Sequence, residues 1–115
     1  MEARRGEAAG VARSVEALRQ APNAEKAPFL KALKAAPCAA EDVCALKKAC
    51  VDAYVLEQAA LDAVSAVRAR TRTADALNSD AVELLANAER DLGRSRELTK
   101  ACADLEGAAR RKYGF

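Results

Sequence analysis

The run from Ala39 to Leu92 contains neither glycine nor proline, and this restricts the fold more than any other feature of the sequence. Glycine and proline are the residues that most often interrupt helices and strands. Alanine, the strongest helix former, supplies about a quarter of the chain. The run therefore predicts long helices that are broken at most once.

Apolar residues recur in this part of the chain at helical spacings of three and four, in two separate stripes. The first stripe contains Val43, Leu46, Cys50, Ala53, Ala60, Val64 and Val67, and the second contains Leu77, Ala81, Leu84, Ala88, Leu98, Cys102, Leu105 and Ala109. They predict helices over about 39–71 and 79–112. The residues between them, 71–80, form a weak predicted turn in which Asn78 is the best candidate for a helix cap.

Two shorter helices are predicted before the long ones. Ala8, Val11, Val15 and Leu18 form one apolar stripe, which predicts a helix over about 8–21 that ends before Pro22. A second helix is expected over about 27–36, closed by Pro37. Residues 1–7 are expected to be frayed, and Phe29 and Tyr54 are expected in the core.

The whole chain, 1–115, is accordingly predicted to be a single all-α domain, an antiparallel bundle stapled by disulfides. Alanine buries little apolar area, so such a core needs close packing or covalent links. The alternative is one uninterrupted helix from about 40 to 113, whose stripe would need a partner chain to cover it.

The four cysteines allow three interpretations. Cys38, Cys44 and Cys50 follow one another at steps of six positions, and Cys102 stands far from them. Free thiols in a cytosolic protein and a site with four thiolate ligands are both possible, but zinc sites usually show pairs two to four residues apart. Two disulfides are the preferred interpretation.

Helix geometry ranks the possible pairings. In an antiparallel hairpin that turns near residue 76, Cys50 and Cys102 lie at the same height and on the inward stripes. Cys44 with Cys102 is the second choice, because Cys44 lies off the stripe. Cys38 precedes the long helix and can fold back over its first turn. The preferred pairs are therefore Cys38–Cys44 and Cys50–Cys102, and Cys44–Cys50 is the least favoured pair.

The composition predicts no catalytic residues, no metal ligands and no cofactor. Histidine, the usual general base and a common metal ligand, is absent from the sequence. The net charge of +2 gives no indication of nucleic-acid binding. Glu57, on an apolar stripe, is expected to form a partly exposed ion pair with Arg94 or Arg96. The chain is therefore not expected to be an enzyme.

Disulfides persist in oxidising compartments, which predicts a periplasmic or otherwise extracytoplasmic location. Met1 is then either native or a replacement for a signal peptide, and a membrane link is expected only through a missing lipid anchor. The pattern Cys38-x5-Cys44-x5-Cys50, which leads into a long alanine-rich helix, resembles small cysteine-bearing helical bacterial lipoprotein or periplasmic domains of unknown function. The resemblance implies no activity.

The expected function is contact with an unknown protein partner, by a monomer or a homodimer. Two alternatives remain open. One is a carrier of a small molecule, haem or metal in the bundle core, and the other is a cytosolic coiled-coil regulator with free thiols.

Overall fold

A computed structural model of the protein describes residues 2–73 and 79–115, with side chains described for 2–70 and 80–115. Four α-helices follow one another: α1 (Glu2–Gln20), α2 (Lys26–Ala35), α3 (Glu41–Thr73) and α4 (Ser79–Tyr113), with a short 3-10 turn at Asn23–Glu25. The described residues contain no strand. The predicted all-α bundle is confirmed.

Helices α3 and α4 pack against each other along their length as an antiparallel hairpin. The Cα atoms of Cys50 and Cys102 lie 4.7 Å apart. In one continuous helix these atoms would be about 78 Å apart, at a rise of 1.5 Å per residue. The alternative of a single long helix is therefore wrong. The predicted cap Asn78 lies outside the described residues.

The predicted fraying of residues 1–7 is wrong for residues 2–7, which form the first turns of α1. Two contacts tie this segment to the rest of the fold. The Arg5 guanidinium donates to the Gly114 carbonyl oxygen at 3.1 Å, and the Glu7 carboxylate accepts a hydrogen bond from the Ala39 amide at 2.7 Å. Both partners are distant in sequence, so the spacing of residues near the N-terminus could not indicate them.

The main apolar core lies at one end of the hairpin, where α1 and α2 pack against it. Its members are Ala8, Val11, Val15, Leu18, Leu30, Leu33, Val43, Leu46, Cys50, Ala53, Tyr54 and Cys102. We call this end the base, which comprises α1, α2, residues 41–54 and residues 98–115. The remainder of the hairpin, residues 55–73 and 79–97, is the arm.

The arm is a pair of helices with a narrow seam of mostly small side chains. Ala60, Val67, Ala81, Ala88 and Ser95 are buried there. Together with the base it gives the molecule dimensions of 60 × 22 × 19 Å. Because only two helices meet in the arm, its buried surface is narrower than the apolar stripes of the sequence.

Three apolar side chains are more exposed than the sequence patterns predict. Leu84 in the arm is 37% exposed, and Leu105 in the base is 39% exposed. Phe29, which was expected in the core, is 39% exposed on α2, whereas Tyr54 is buried as expected. Leu30 and Leu33 take the inward face of α2 instead of Phe29, because a ten-residue helix buries only one side.

Candidate functional site

The segment 36–40 connects α2 to α3, and we call it the Cys38 junction. Cys38 forms a disulfide with Cys44, with Cα atoms 5.3 Å apart. The Glu7 carboxylate accepts a hydrogen bond from the Ala39 amide, and Lys47 Nζ donates to the Ala36 carbonyl oxygen at 2.8 Å. The junction is thus attached to both α1 and α3.

The second disulfide joins α3 to α4 inside the base. Both Cys50 and Cys102 have 0% of their surface exposed, whereas Cys38 and Cys44 are partly exposed. The structure thus contains the two cysteine pairs that the sequence analysis preferred, in two very different environments. These two bonds pair all four cysteines of the sequence.

An open groove with a volume of about 890 Å³ runs between α1 and α2, on one side of the Cys38 junction. Its walls consist mainly of small side chains. The lining residues are Ala3, Gly6, Glu7, Gly10, Val11, Arg13, Ser14 and Ala17 from α1, and Phe29, Ala32, Ala35, Ala36 and Pro37 from α2 and the junction. A Cβ atom placed at Gly6 or Gly10 would meet no atom within 4 Å, so the α1 wall leaves room for another group.

A second, smaller cleft, with a volume of about 340 Å³, adjoins the junction at Cys38. The Cys38–Cys44 disulfide forms part of its lining, together with Lys34, Lys47, Lys48, Val51 and Asp52. Lys48 Nζ lies 2.7 Å from an Asp52 carboxylate oxygen. Because its lining contains three lysines and one aspartate, the cleft has a net positive charge.

Asp42, at the start of α3, receives hydrogen bonds from the end of α4. Lys112 Nζ donates to its carboxylate at 2.8 Å, and the Tyr113 hydroxyl lies 2.8 Å from the same oxygen. These hydrogen bonds, the one from Lys112 first, lower the pKa of Asp42 from 3.8 to about 2. The hydrogen bond to Asp42 correspondingly raises the pKa values of Lys112 and Tyr113. The contact secures the C-terminus of α4 to the start of α3.

Lys26 is a buried cation that the sequence analysis missed. Only 5% of its surface is exposed, and its Nζ donates to the carbonyl oxygens of Leu18 at 2.6 Å and Arg19 at 3.2 Å. These carbonyl groups lie in the last turn of α1, where a positive charge is favourable. The position of Lys26 four and seven residues before Leu30 and Leu33 places it on the apolar face of α2, and this spacing is a usable signal.

Glu106 is a buried carboxylate that the sequence analysis also missed. It is 6% exposed, and it lies 2.8 Å from an Arg19 nitrogen and 3.2 Å from an Arg110 nitrogen. The hydrogen bond to Glu106 is the main cause of the raised pKa of Arg19, and burial acts against it. The spacing of four residues from the inward Cys102 places Glu106 on the same side of α4.

The predicted ion pair of Glu57 is wrong: among the ion pairs of the described side chains, none joins Glu57 to Arg94 or Arg96. Glu57 is partly buried in the arm. Equal distance from the turn places two residues at the same level of the hairpin. Their side chains form a contact only if both also point towards each other.

Two further findings concern the described part of the chain. It contains no group of three or more cysteine, aspartate or glutamate side chains arranged to hold a metal ion. None of its helices is long and apolar enough to cross a membrane.

Comparison of the chain with protein-family models, with curated proteins and with solved structures found no match.

Proposed function

We propose that this chain is a non-enzymatic, extracytoplasmic domain that acts by binding an α-helix of a partner protein in the groove between α1 and α2. The observation that carries the proposal is the groove itself, an open apolar surface whose lining includes the exposed aromatic side chain of Phe29. Exposed apolar surfaces of this kind often mark sites of protein contact.

The two disulfides support the compartment named in the proposal. Such bonds persist in oxidising environments, including the bacterial periplasm. The Cys50–Cys102 bond is fully buried in the core of the base and joins the two long helices, so it is part of the folded structure. A periplasmic location, with or without a lipid anchor, is consistent with this arrangement.

The dimensions of the groove suit a helix. Its α1 wall extends from Ala3 to Ala17, about 21 Å at 1.5 Å per residue, which matches about four turns of a partner helix. Small side chains at Gly6, Gly10 and Ala32 allow a second helix axis to approach closely. An amphipathic helix placed in a groove is a common mode of peptide recognition, and aromatic residues often supply most of the binding energy.

The charges of the groove indicate what the partner helix must carry. Glu7 already accepts the hydrogen bond from the Ala39 amide, whereas Arg13 is exposed along the α1 wall. An acidic side chain at the edge of the partner's apolar face would complement Arg13. The proposed partner is therefore a helix with bulky apolar residues on one side and an acidic residue beside them.

Site-specific photo-crosslinking in cells that make the protein from its own gene tests this proposal. Benzoylphenylalanine at position 29 places the photoreactive group at the groove, and the same residue at the exposed Lys100 position on α4 serves as a control. We expect a light-dependent product with a second protein from position 29 only. Gly10→Trp, which fills the groove, should abolish that product. The control is Gly93→Trp on α4, where an added Cβ atom also meets no atom within 4 Å, and it should leave the product unchanged.

The outcomes separate the components of the proposal. A product from position 29 that persists in Gly10→Trp would contradict helix binding in the groove, as would the absence of any product. A product with twice the mass of the chain would identify the occupant as a second copy and overturn the proposal of a different partner. Circular dichroism must show that both tryptophan variants remain helical.

A further inference from the structure

We propose that the Cys38–Cys44 disulfide is a thiol–disulfide exchange site that reacts preferentially with anionic thiols, while Cys50–Cys102 remains a permanent structural link. The inference does not depend on the proposed groove partner. It is carried by three observations: the exposure of this disulfide, the cleft beside it and the charges that line the cleft.

The two disulfides differ in their access to solvent. Exchange requires a thiolate to approach one sulfur atom directly, so access limits its rate. Cys50 and Cys102 are both 0% exposed, inside the core of the base. Cys38 and Cys44 are partly exposed and line a cleft of about 340 Å³. A small thiol can therefore reach this disulfide without unfolding of the base.

The charges around the cleft favour the approach of an anion. Lys34, Lys47 and Lys48 line it, and Asp52, which is paired with Lys48, is the one acidic residue in the lining. Exposed charges of one sign around a cleft raise the local concentration of ions of the opposite sign. Glutathione, which carries a net negative charge, is a thiol of the proposed class.

The same charges favour Cys44 as the leaving group. Lys47 and Lys48 follow Cys44 by three and four residues on α3, which places them on the same face of the helix. Cys44 also lies in the first turn of α3, where the helix dipole stabilises a negative charge. Nearby cations and a helix N-terminus both lower the pKa of a thiol, and a thiol of lower pKa leaves faster.

The reaction proceeds in two balanced steps. An external thiolate attacks Cys38 Sγ, the bond between Cys38 and Cys44 breaks, and its electron pair leaves on Cys44 Sγ as a thiolate. A second external thiolate then attacks the external sulfur of the mixed disulfide, which forms a small-molecule disulfide and releases the Cys38 thiolate. Two external thiols are oxidised and the protein disulfide is reduced to two thiols, and water supplies any proton taken up by the new thiolates.

The junction retains other attachments after the disulfide opens. The hydrogen bonds from the Ala39 amide to Glu7 and from Lys47 to the Ala36 carbonyl oxygen do not involve sulfur. The Cys50–Cys102 bond still joins α3 to α4. The exchange is therefore expected to occur in the folded protein and to be reversible.

The test measures the opening rate of each disulfide in the folded protein. Samples mixed with glutathione, neutral 2-mercaptoethanol or cationic cysteamine are quenched with N-ethylmaleimide, and peptide mass spectrometry assigns the label. Rates are compared at equal thiolate concentration. We expect Cys38 and Cys44 to react at least about tenfold faster than Cys50 and Cys102. At low salt we expect glutathione to react roughly fourfold faster than cysteamine, because the two thiols differ by two charges and each charge changes the rate by a factor of about two.

A double variant isolates the role of the cleft charges. Lys34→Gln with Lys48→Gln keeps the Lys47 hydrogen bond to the junction, and Lys31→Gln with Lys100→Gln removes two exposed charges outside the cleft. The preference for glutathione should fall towards unity in the first variant and in 1 M NaCl, and stay unchanged in the second. The proposal would be overturned if the two disulfides opened at equal rates, or if the first variant kept its preference for glutathione. It would also be overturned if the helical circular dichroism signal were lost at the same rate as the cysteines are labelled, because the disulfide would then open only when the protein unfolds.

Discussion

Removal of the Cys50–Cys102 disulfide is expected to be the most damaging small change that the structure suggests. The double substitution Cys50→Ala and Cys102→Ala leaves no unpaired thiol behind and places two small apolar side chains in the core. The bond joins residues 52 positions apart. It closes the hairpin at the base, so without it only non-covalent packing holds the base ends of α3 and α4 together.

The size of the effect follows from the length of the closed loop. In the chain-entropy treatment, a link across about 52 residues restricts the unfolded chain by about 4 kcal/mol at 25 °C, and a link across six residues by about 2 kcal/mol. Domains of this kind have unfolding free energies of about 5–15 kcal/mol. The buried disulfide therefore accounts for a large share of the net stability.

Urea denaturation followed by circular dichroism at 222 nm measures this loss, because nearly all described residues are helical. The matched control is Cys38→Ala with Cys44→Ala, which removes the shorter link and leaves the core intact. We expect the free energy of unfolding to fall by about 4 kcal/mol in the first variant and about 2 kcal/mol in the second.

The order of the two losses is the critical result. If the Cys38/Cys44 variant loses as much stability as the Cys50/Cys102 variant, or more, then loop length does not determine the contribution of these bonds. A loss below about 1 kcal/mol for the buried pair would refute the reasoning more directly, because it would show that packing alone holds the hairpin closed.

Three further substitutions test the polar contacts of the base. Glu106→Gln should lower the unfolding free energy by about 1–2 kcal/mol in urea denaturation, because it weakens a charge-assisted hydrogen bond to Arg19. Lys26→Met should lower it by about 1–3 kcal/mol in the same measurement, because the Leu18 carbonyl oxygen loses its buried donor. Asp42, whose pKa is lowered from 3.8 to about 2, stabilises the fold above about pH 4, and this contribution disappears as pH falls through about 2. The difference in melting temperature between the wild type and Asp42→Asn should therefore be constant above about pH 5 and shrink towards pH 2.

Exposed positions supply the controls for these substitutions. Asp52→Asn, which breaks an exposed pair with Lys48, should change the unfolding free energy by less than about 1 kcal/mol. Lys31→Met removes an exposed lysine from α2 and should have a similarly small effect. If Lys26→Met or Glu106→Gln is no more damaging than its control, the buried contact does not stabilise the fold. A difference between the wild type and Asp42→Asn that persists unchanged at pH 2 would contradict the role of that carboxylate.

The long helices and the covalent links are predictable from the sequence because both depend on local pattern and simple geometry. The apolar stripes place Cys50 and Cys102 on facing sides of a hairpin, and the distance of each from the turn makes them partners. Pro37 before Cys38 indicates a break in the helix, which allows Cys38 to reach back to Cys44.

The groove could not be predicted because it depends on which side of α2 faces the core. Phe29, Leu30 and Leu33 are all apolar, and the sequence does not distinguish an inward position from an outward one in so short a helix. Tertiary packing places Leu30 and Leu33 inward and leaves Phe29 at the groove. The N-terminal turns of α1 likewise depend on Arg5 and Glu7 contacting residues that are distant in sequence.

The two buried charged residues, Lys26 and Glu106, could be predicted from the sequence only in part. The helical spacing of Lys26 and Glu106 indicates that both face inward, yet an inward charge is acceptable only where a partner is available. For Lys26 the partners are backbone carbonyl groups at the end of α1, which no pattern of side chains can reveal. For Glu106 the partner Arg19 comes from a different helix.

The buried disulfide also determines how the molecule would respond to mechanical tension. A force applied between the first and last residues passes from Cys50 to Cys102 through the sulfur atoms, so residues 51–101 lie within a closed covalent ring and bear none of the load. Under tension, α1, α2 and the start of α3 would be drawn out before the arm is disturbed. The arm is thus isolated from forces on the chain ends for as long as this bond remains oxidised.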